Sequence, residues 1–358
     1  MSGCRAPSRH CANLSTVPVA LVAPDKFRGS LSAQEAAAAM GAGLTTAGFD
    51  EVRALALADG GEGTLDALLA AAGGSRRQAE VTGPLGERVR AEYGVLRDGT
   101  AVVEMARASG LALVSGRNDP LRASTRGTGE LIAAALRSES PSVIVAVGGS
   151  ATTDGGLGAV DALGWSLRGA DVVVACDVDT KFVDAARLFA PQKGASAAQV
   201  ELLRRRLERL ADEYRARTGT DVRELPGAGA AGGLAGGLAA IGARLEPGFD
   251  VVAHAVHLGD ALDGADLVLT GEGRFDVSSF DGKVVGEVLE WAADAGVDHR
   301  AVIAGQVTAE AREEALVLGA SPVLALVDRV WHAGEAFARA ATLLEEAAIE
   351  VGRGVLSG

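Results

Sequence analysis

Acidic and basic side chains occur together directly after three short apolar segments of the sequence. Such segments are typical of buried strands, and the carboxyl ends of parallel strands form the sheet edge at which ligands bind. Carboxylates there can bind a cation or accept a proton, while Lys and Arg can neutralise phosphate charge. A solvated turn is the ordinary alternative for one group, but three groups indicate a site. They are Asp25, Lys26 and Arg28 after residues 17–24; Asp177 and Asp179 after residues 171–176; and Glu272, Arg274 and Asp276 after residues 266–271, with Lys283 soon after.

Asp177 and Asp179 occupy alternate positions at the end of DVVVACDVD (171–179). Alternate residues of an extended segment point to the same face, so the two carboxylates could share a cation or divide metal and base roles. A pair of strand-end caps is an equally good interpretation. Further along, APQKGAS (190–196) places Lys193 just before a predicted helix, where it can offset phosphate charge or face water.

Two glycine-rich stretches share a pattern. DGGEGTLDAL (59–68) and DGGLGAVDAL (154–163) each follow an apolar segment and open an Ala/Leu-rich one, and the second belongs to VGGSATTDGG (147–156). Backbone N–H groups at a helix start can bind an anion, so these turns are candidate phosphate sites, although 48 glycines also allow coincidence. Asp154 is expected to cap a helix and to face the ligand. The candidate residues are Asp59, Gly60, Gly61, Glu62, Gly63, Gly148, Gly149, Ser150, Thr152 and Asp154.

Other motifs narrow the chemistry. RASTRGTGEL (122–131) places Arg126 among hydroxyl side chains at a helix start, which favours a substrate carboxylate or phosphate slightly over an ordinary capped helix. The sequence has no Walker A motif, no nucleophile elbow and no zinc-ligand spacing. GAGAAG (227–232) follows Leu-Pro rather than a strand, which favours close helix packing over dinucleotide binding. An oxidoreductase using that motif is therefore the weaker alternative.

Composition limits the partners. The 358 residues carry a net charge of −13, which excludes a general nucleic-acid or anionic-membrane surface. Three cysteines without a metal-ligand pattern argue against a disulfide framework and favour a cytoplasmic location. Residues 1–16 lack an apolar core, so a flexible leader is expected rather than a secretory signal.

The order of predicted elements indicates an α/β fold with two domains. Strand and helix patterns alternate over 17–79 and again over 246–358, which predicts a parallel sheet with crossover helices. Between them, residues 79–106 alternate around Gly-Pro, Gly-Glu and Asp-Gly turns that are typical of antiparallel hairpins. We therefore expect a discontinuous parallel α/β domain (17–79 and 246–358), an inserted mixed α/β domain (80–245), and a ligand cleft between them.

Nine segments in one order carry a resemblance to a known family. They run from about residue 19 to 310 and read APDKFRGSLSA, ADGGEGT, EMARASGL, STRGTGELI, VGGSATTDGGLG, ACDVD, PQKGA, PGAGAAGGL and TGEGRFD. In this respect the sequence resembles the bacterial glycerate kinases that lack a Walker A motif. The resemblance implies a Rossmann-like discontinuous domain, an inserted mixed domain, and ATP- and Mg²⁺-dependent phosphorylation of D-glycerate, with the 2-hydroxyl favoured over the 3-hydroxyl. D-glycerate and ATP are the expected partners, without nucleic acid or membrane, and a homodimer is left open.

The resemblance also suggests roles. The turns at 60–63 and 148–156 would hold phosphate oxygens, and Asp177 or Asp179 would bind Mg²⁺ or orient the hydroxyl. Lys26, Lys193 and Arg274 would offset phosphate charge, and Arg126 or Arg28 would hold the carboxylate. This chain departs from the family after ACDVD, at the short WSLRGA segment (165–170), and after GEGRFD. A sugar-acid sensor without catalysis is a third hypothesis, but a sensor has no need of paired carboxylates.

Overall fold

The structure, a computed structural model, describes residues 17–138 and 140–357, so the expectation for the leader 1–16 lies outside it. Elements are numbered in chain order. The strands are β1 Val19–Val22, β2 Glu51–Ala54, β3 Gly74–Thr82, β4 Arg88–Leu96, β5 Ala101–Glu104, β6 Ser142–Ala146, β7 Asp171–Cys176, β8 Arg244–Pro247, β9 Leu267–Thr270, β10 Arg274–Phe275, β11 His299–Ala304, β12 Gln306–Val307 and β13 Ala320–Ala325. The α-helices are α1 Ala33–Ala47, α2 Thr64–Ala72, α3 Ala106–Ser109, α4 Arg126–Arg137, α5 Leu157–Ala162, α6 Ala185–Phe189, α7 Ala197–Thr218, α8 Ala230–Ala240, α9 Gly248–Ala255, α10 Leu258–Leu262, α11 Val284–Asp294, α12 Ala309–Val317, α13 Ala333–Ala338 and α14 Ala340–Ser357. Short 3₁₀ turns lie at Leu111–Leu113, Pro191–Lys193, Val277–Phe280 and Leu326–Arg329.

The first sheet has five parallel strands in the order β13-β11-β9-β1-β2. Its first crossover helix begins at a capping box. Ser32 caps α1, accepting a hydrogen bond from the Glu35 amide, and the Glu35 carboxylate accepts one from the Ser32 amide. This capping box satisfies helix-end donors, so α1 begins at a fixed residue and packs against α14.

The second sheet has six strands in the order β3-β4-β5-β6-β7-β8. Strands β3 to β5 pair antiparallel, as the turn residues of 79–106 predict, whereas β5 to β8 pair parallel. The parallel half brings the carboxyl ends of β5, β6 and β7 to one edge, where Glu104, Val147 and Asp177 follow one another across the sheet. This half of the sheet carries the site residues.

The chain therefore forms a two-domain α/β fold with one parallel and one mixed sheet. A shared apolar core joins the domains, with Leu21 and Val268 from the first sheet and Val102, Ile144 and Val173 from the second. The second sheet includes residues 74–79 and 246–247, just outside the range 80–245 expected for the inserted domain. The domain bounds themselves stay a prediction.

The GAGAAG segment (227–232) lies inside this fold. It enters α8, whose residues are all buried, and the helix is kinked at Ala231, Gly232 and Gly233, which have positive φ. A Cβ at Gly232 would overlap the carbonyl oxygen of Thr152. The small residues thus allow two backbone segments to touch, which is the packing role that the sequence favours. No helix within residues 17–138 and 140–357 combines the length and apolar character that crossing a membrane requires.

Candidate active site

A cleft of about 1320 Å³ opens where the carboxyl ends of the parallel strands from both domains meet. Ligands of open α/β sheets bind at this edge because helix starts and strand-end loops converge there. Most of the residues singled out in the sequence line it. These are Asp25, Lys26, Arg28, Asp59, Gly61, Glu62, Gly63, Gly148, Gly149, Ser150, Asp177 and Lys193.

Lys26 connects the first strand end to a glycine-rich turn. Its Nζ donates to the Glu62 carbonyl oxygen at 2.7 Å and lies 3.9 Å from Asp25 Oδ1. Asp25 is fixed in turn, because its amide donates to the Gly271 carbonyl oxygen of the neighbouring strand end at 2.9 Å. The Lys26 cation is therefore held at the floor of the cleft with a preset direction, as electrostatic stabilisation of a phosphoryl group requires.

The two glycine-rich turns lie against each other. The Val147 amide donates to the Gly60 carbonyl oxygen at 3.1 Å, so Gly60 lies beneath the cleft surface, and a Cβ at Gly148 would lie 2.7 Å from the Gly61 Cα. Only glycine permits this approach. Among the described residues, the amides of Gly148, Gly149 and Ser150 meet no acceptor, although all three residues line the cleft. Consecutive unpaired N–H groups form a concave anion site.

The helix starts after the two DGG sequences differ from the prediction, because each already holds a carboxylate of the protein. At α2, Glu104 Oε1 accepts from the amides of Gly63 and Leu65 at 2.9 and 3.0 Å. At α5, the half-buried Asp154 accepts from the amides of Gly156 and Gly158 at 3.2 and 3.3 Å. Asp154 also accepts from the Thr125 amide and hydroxyl, and it lies outside the cleft lining. We therefore correct its predicted role as a ligand contact: Asp154 joins α4 to α5.

Asp177 and Asp179 are not equivalent. Strand β7 ends at Cys176, so the extended geometry that would align the two side chains stops before them. Both residues are exposed, but only Asp177 lines the cleft. The pKa of Asp177 is raised, first by the surrounding protein, which displaces water, and second by the negative charge of Asp59. Asp59 is thus an acidic neighbour of Asp177, and both residues line the cleft.

Lys193 is 3% exposed and donates to the Thr152 carbonyl oxygen at 2.6 Å. Burial lowers its pKa to about 7, and the nearby charge of Asp154 offsets only part of that effect. Asn118 holds the same region, since its Nδ2 donates to the carbonyl oxygens of Ala151 and Lys193 at 2.9 Å. Thr152 therefore acts through its backbone, and its hydroxyl lies outside the cleft lining.

A second cavity of about 440 Å³ adjoins the cleft and shares Asp25, Lys26, Arg28 and Asp59 with it. Glu272, Arg274 and Lys283 line only this smaller cavity. Burial, more than any neighbouring charge, raises the pKa of Glu272 to about 7 and that of Asp25 to about 6. Glu272 Oε1 and Asp25 Oδ1 are buried without a hydrogen-bond partner among the described residues.

Arg126 does not reach either cavity, contrary to the role considered for it. Its side chain is 56% exposed and its Nε contacts Glu130 Oε1 at 3.0 Å, one turn along α4. Because Arg126 is the first helical residue and Glu130 lies at i,i+4, local helix geometry decides this pairing. Arg28 lines both cavities and makes no ion pair among the described residues, whereas Arg107 and Arg274 are each paired with a carboxylate.

Sequence analysis missed two supporting residues. Glu104 is 2% exposed, and its carboxylate contacts Arg107 Nε at 2.6 Å, while Arg107 lines the cleft. Glu104 is the last residue of β5, so its position at a strand end was the available signal. Asn118 carried no such signal, because it lies in an irregular segment and contacts residues distant in sequence.

Open amides, fixed cations and paired carboxylates in an interdomain cleft define a small-molecule phosphotransferase class of α/β protein. The model of the Glycerate kinase family matches residues 20–171 and 165–356, and this chain belongs to that family. The two matches overlap at 165–171, where the sequence indicates a segment shorter than is usual in the family.

Named relatives agree with this assignment. The chain is 42% identical to the Glycerate 2-kinase of Escherichia coli (strain K12) over 301 residues, covering 74% of this chain and 79% of the relative. It is 37% identical to the Glycerate kinase of Halalkalibacterium halodurans over 368 residues, covering 92% and 96%. A crystal structure of a glycerate kinase 2 from Salmonella typhimurium LT2 superposes with a TM-score of 0.83 at 35% identity, covering 96% of this chain and 99% of that one.

Proposed function

We propose that this protein transfers the γ-phosphoryl group of ATP to D-glycerate and forms 2-phosphoglycerate. The observation that carries the proposal is the turn at Gly148–Ser150, whose three amides have no acceptor among the described residues and whose residues line the cleft together with Lys26 and Asp177. Phosphoryl transfer depends on positioning and on charge neutralisation, and this arrangement supplies both.

The phosphate chain of ATP would lie along the turn. The amides of Gly148, Gly149 and Ser150 would donate to phosphate oxygens, and Lys26 would neutralise the transferring group from the opposite side. Lys193 would fix the segment that follows the turn, because its Nζ donates to the Thr152 carbonyl oxygen. These groups are in place before the ligand arrives, which is the condition for strong electrostatic stabilisation.

The carboxylates fit Mg²⁺. Asp177 and Asp59 both line the cleft, and the negative charge of Asp59 is the second cause, after burial, of the raised pKa of Asp177. The described residues contain no group of three or more His, Cys, Asp or Glu suited to a metal. Mg²⁺ commonly uses one or two carboxylates together with substrate phosphates and water, so the pair suffices. Asp177 and Asp59 would hold the ion, which would supply neutralisation of phosphate charge when bound. This replaces the predicted pair Asp177 and Asp179.

The 2-position of the acceptor is supported by similarity to the relative named Glycerate 2-kinase. The 2-hydroxyl also lies next to the glycerate carboxylate, so a cation that holds the carboxylate fixes this hydroxyl more closely than the 3-hydroxyl. Arg28 is the available cation.

A coupled assay of ADP formation tests the proposal. We expect turnover with D-glycerate, ATP and Mg²⁺, loss of turnover with EDTA, recovery with added Mg²⁺, and 2-phosphoglycerate as the product by ³¹P NMR. D-glycerate binding without ATP consumption would favour the sensor hypothesis and contradict the proposal. Formation of 3-phosphoglycerate would contradict the 2-position alone.

A further inference from the structure

The smaller cavity has the composition of a separate subsite rather than an extension of the cleft. It brings Arg28, Arg274 and Lys283 together with Asp25 and Glu272. Apolar residues of α13 close its outer side, and a Cβ at Gly29 would lie 3.1 Å from the Phe337 ring. A volume of about 440 Å³ admits a compact polar molecule but offers little room for a nucleotide, whereas the cleft has about three times that volume.

The cations of this cavity are available to an anion. Arg28 makes no ion pair among the described residues, and Lys283 Nζ donates to the Ser278 hydroxyl at 2.7 Å. Arg274 is already paired, with its Nε 3.3 Å from Asp276 Oδ2. Arginine binds a carboxylate with two parallel hydrogen bonds, so Arg28 is the natural partner of an acid group.

Two carboxylates of the cavity each have one oxygen without a donor. Glu272 Oε1 and Asp25 Oδ1 are buried and accept no hydrogen bond from the described residues. A buried acceptor without a donor is destabilising, and such a group in a native structure calls for a partner. A hydroxyl group of a ligand is a suitable donor. Segments 25–28 and 271–273 touch, because a Cβ at Gly273 would lie 3.0 Å from the Arg28 amide nitrogen, so cation and acceptor belong to one wall.

We propose that the smaller cavity is the acceptor subsite, in which Arg28 and Lys283 bind the carboxylate of a small 2-hydroxy acid and Glu272 accepts its hydroxyl proton. The inference rests on the proposed kinase function. The cleft then holds the nucleotide, and the wall shared by the two cavities, with Asp25, Lys26 and Asp59, is where the phosphoryl group passes.

The step balances. The acceptor O–H bond breaks and its proton moves to Glu272, while the oxygen forms a bond to the γ-phosphorus. The bond from that phosphorus to the β,γ-bridging oxygen breaks, and ADP leaves with the electron pair. Glu272 then releases the proton to water. A pKa of about 7 suits this role, since a base works best near the pH of the reaction.

Two variants test the subsite separately from the function. Arg28→Ala should weaken D-glycerate binding at least about 10-fold by titration calorimetry without nucleotide and leave the Kd of an ATP analogue unchanged. Glu272→Gln should lower kcat about 100-fold or more, with little change in the KM for ATP, and should remove the pH dependence of kcat near 7. Exposed controls are Arg205→Ala, which loses an ion pair on α7, and Glu310→Gln on α12.

The outcomes are distinguishable. If the wild type turns over D-glycerate but both variants behave like their controls, the subsite is refuted and the kinase function stands. If the wild type ignores D-glycerate but phosphorylates another small 2-hydroxy acid with the same dependence on Arg28 and Glu272, the subsite stands and the proposed substrate is refuted. Circular dichroism and melting curves verify folding, which exposed Arg28 is not expected to affect.

Discussion

The turn at 148–150 and the helix starts at 63–65 and 156–158 are all glycine-rich, follow strands and present backbone amides, yet only the turn is open. At α2 the amides of Gly63 and Leu65 are bonded to Glu104, and at α5 those of Gly156 and Gly158 are bonded to Asp154. The amides of 148–150 meet no acceptor among the described residues.

This difference shows that a glycine pattern alone does not make an anion site. The start of α2 is closed by a carboxylate 39 and 41 positions away in sequence, and the start of α5 by one just upstream. Each carboxylate acts as the anion that a helix start attracts. The closed starts therefore stabilise the walls, and the open turn is left for the ligand.

The largest expected effect separates the carboxylate beside the open turn from its neighbour. Asp177→Asn should lower kcat about 1000-fold at saturating ATP, because the metal and phosphate lose a charged partner. It should not lower the melting temperature, because a carboxyl group whose pKa is raised by burial opposes folding when it is ionised. Asp179→Asn, the matched control two residues away, should retain near wild-type kcat, since Asp179 lies outside the cleft lining. Equal losses of kcat in both variants would favour the metal pair Asp177 and Asp179 that the sequence predicts.

Removing a closing carboxylate should cost stability. Glu104→Gln removes the shortest ion pair of Arg107, which keeps its longer contacts to Glu92 and Asp66, and weakens the bonds to Gly63 and Leu65. Because Glu104 is buried, we expect the free energy of unfolding to fall by about 3 kcal/mol. Urea denaturation measures this. The control is Glu51→Gln, which loses an exposed ion pair and should change stability by less than about 0.5 kcal/mol. An unchanged unfolding midpoint in Glu104→Gln would contradict the claim that Glu104 stabilises the start of α2.

Changing the open turn should affect nucleotide use. A Cβ at residue 148 would lie 2.7 Å from the Gly61 Cα, so Gly148→Ala must displace the turn and should lower kcat/KM for ATP about 50-fold. Gly354→Ala on α14, where a Cβ meets open space, should preserve activity and raise stability by about 0.5 kcal/mol. If Gly148→Ala keeps the wild-type kcat/KM for ATP, the phosphates do not bind at this turn.

The smallest effect concerns the orphaned carboxylate of the second cavity. The folded-state pKa of Glu272, about 7, exceeds its ordinary value of 4.5, so ionisation is resisted in the native state and stability is lost as pH rises from 4.5 to 7. Glu272→Gln should therefore be more stable than the wild type by about 2 kcal/mol at pH 8 and equal to it at pH 4. A difference that does not change with pH would contradict the burial of this charge.

Much of this organisation follows from the sequence because it depends on local patterns. The capping box at Ser32, the hairpins of 79–106 and the charged strand ends each report on neighbours in sequence or on one sheet edge. The use made of each group could not be predicted in the same way. Asp154 and Arg126 look like ligand contacts in sequence, but bonds to Thr125 and Glu130 occupy them. Strand β7 ends at Cys176, and Asp179 lies outside the cleft lining. A hydropathy pattern in the sequence does not fix the end of a strand to within one residue.

The central claim is that phosphate binds the open turn and not the helix starts. The direct measurement is ¹⁵N–¹H NMR of the amides at 148–150 and 63–65, recorded with and without a non-hydrolysable ATP analogue and Mg²⁺. We predict large amide shifts and slowed hydrogen exchange at Gly148, Gly149 and Ser150, and unchanged, already protected amides at Gly63 and Leu65. Shifts confined to 63–65, with 148–150 unaffected, would contradict the account.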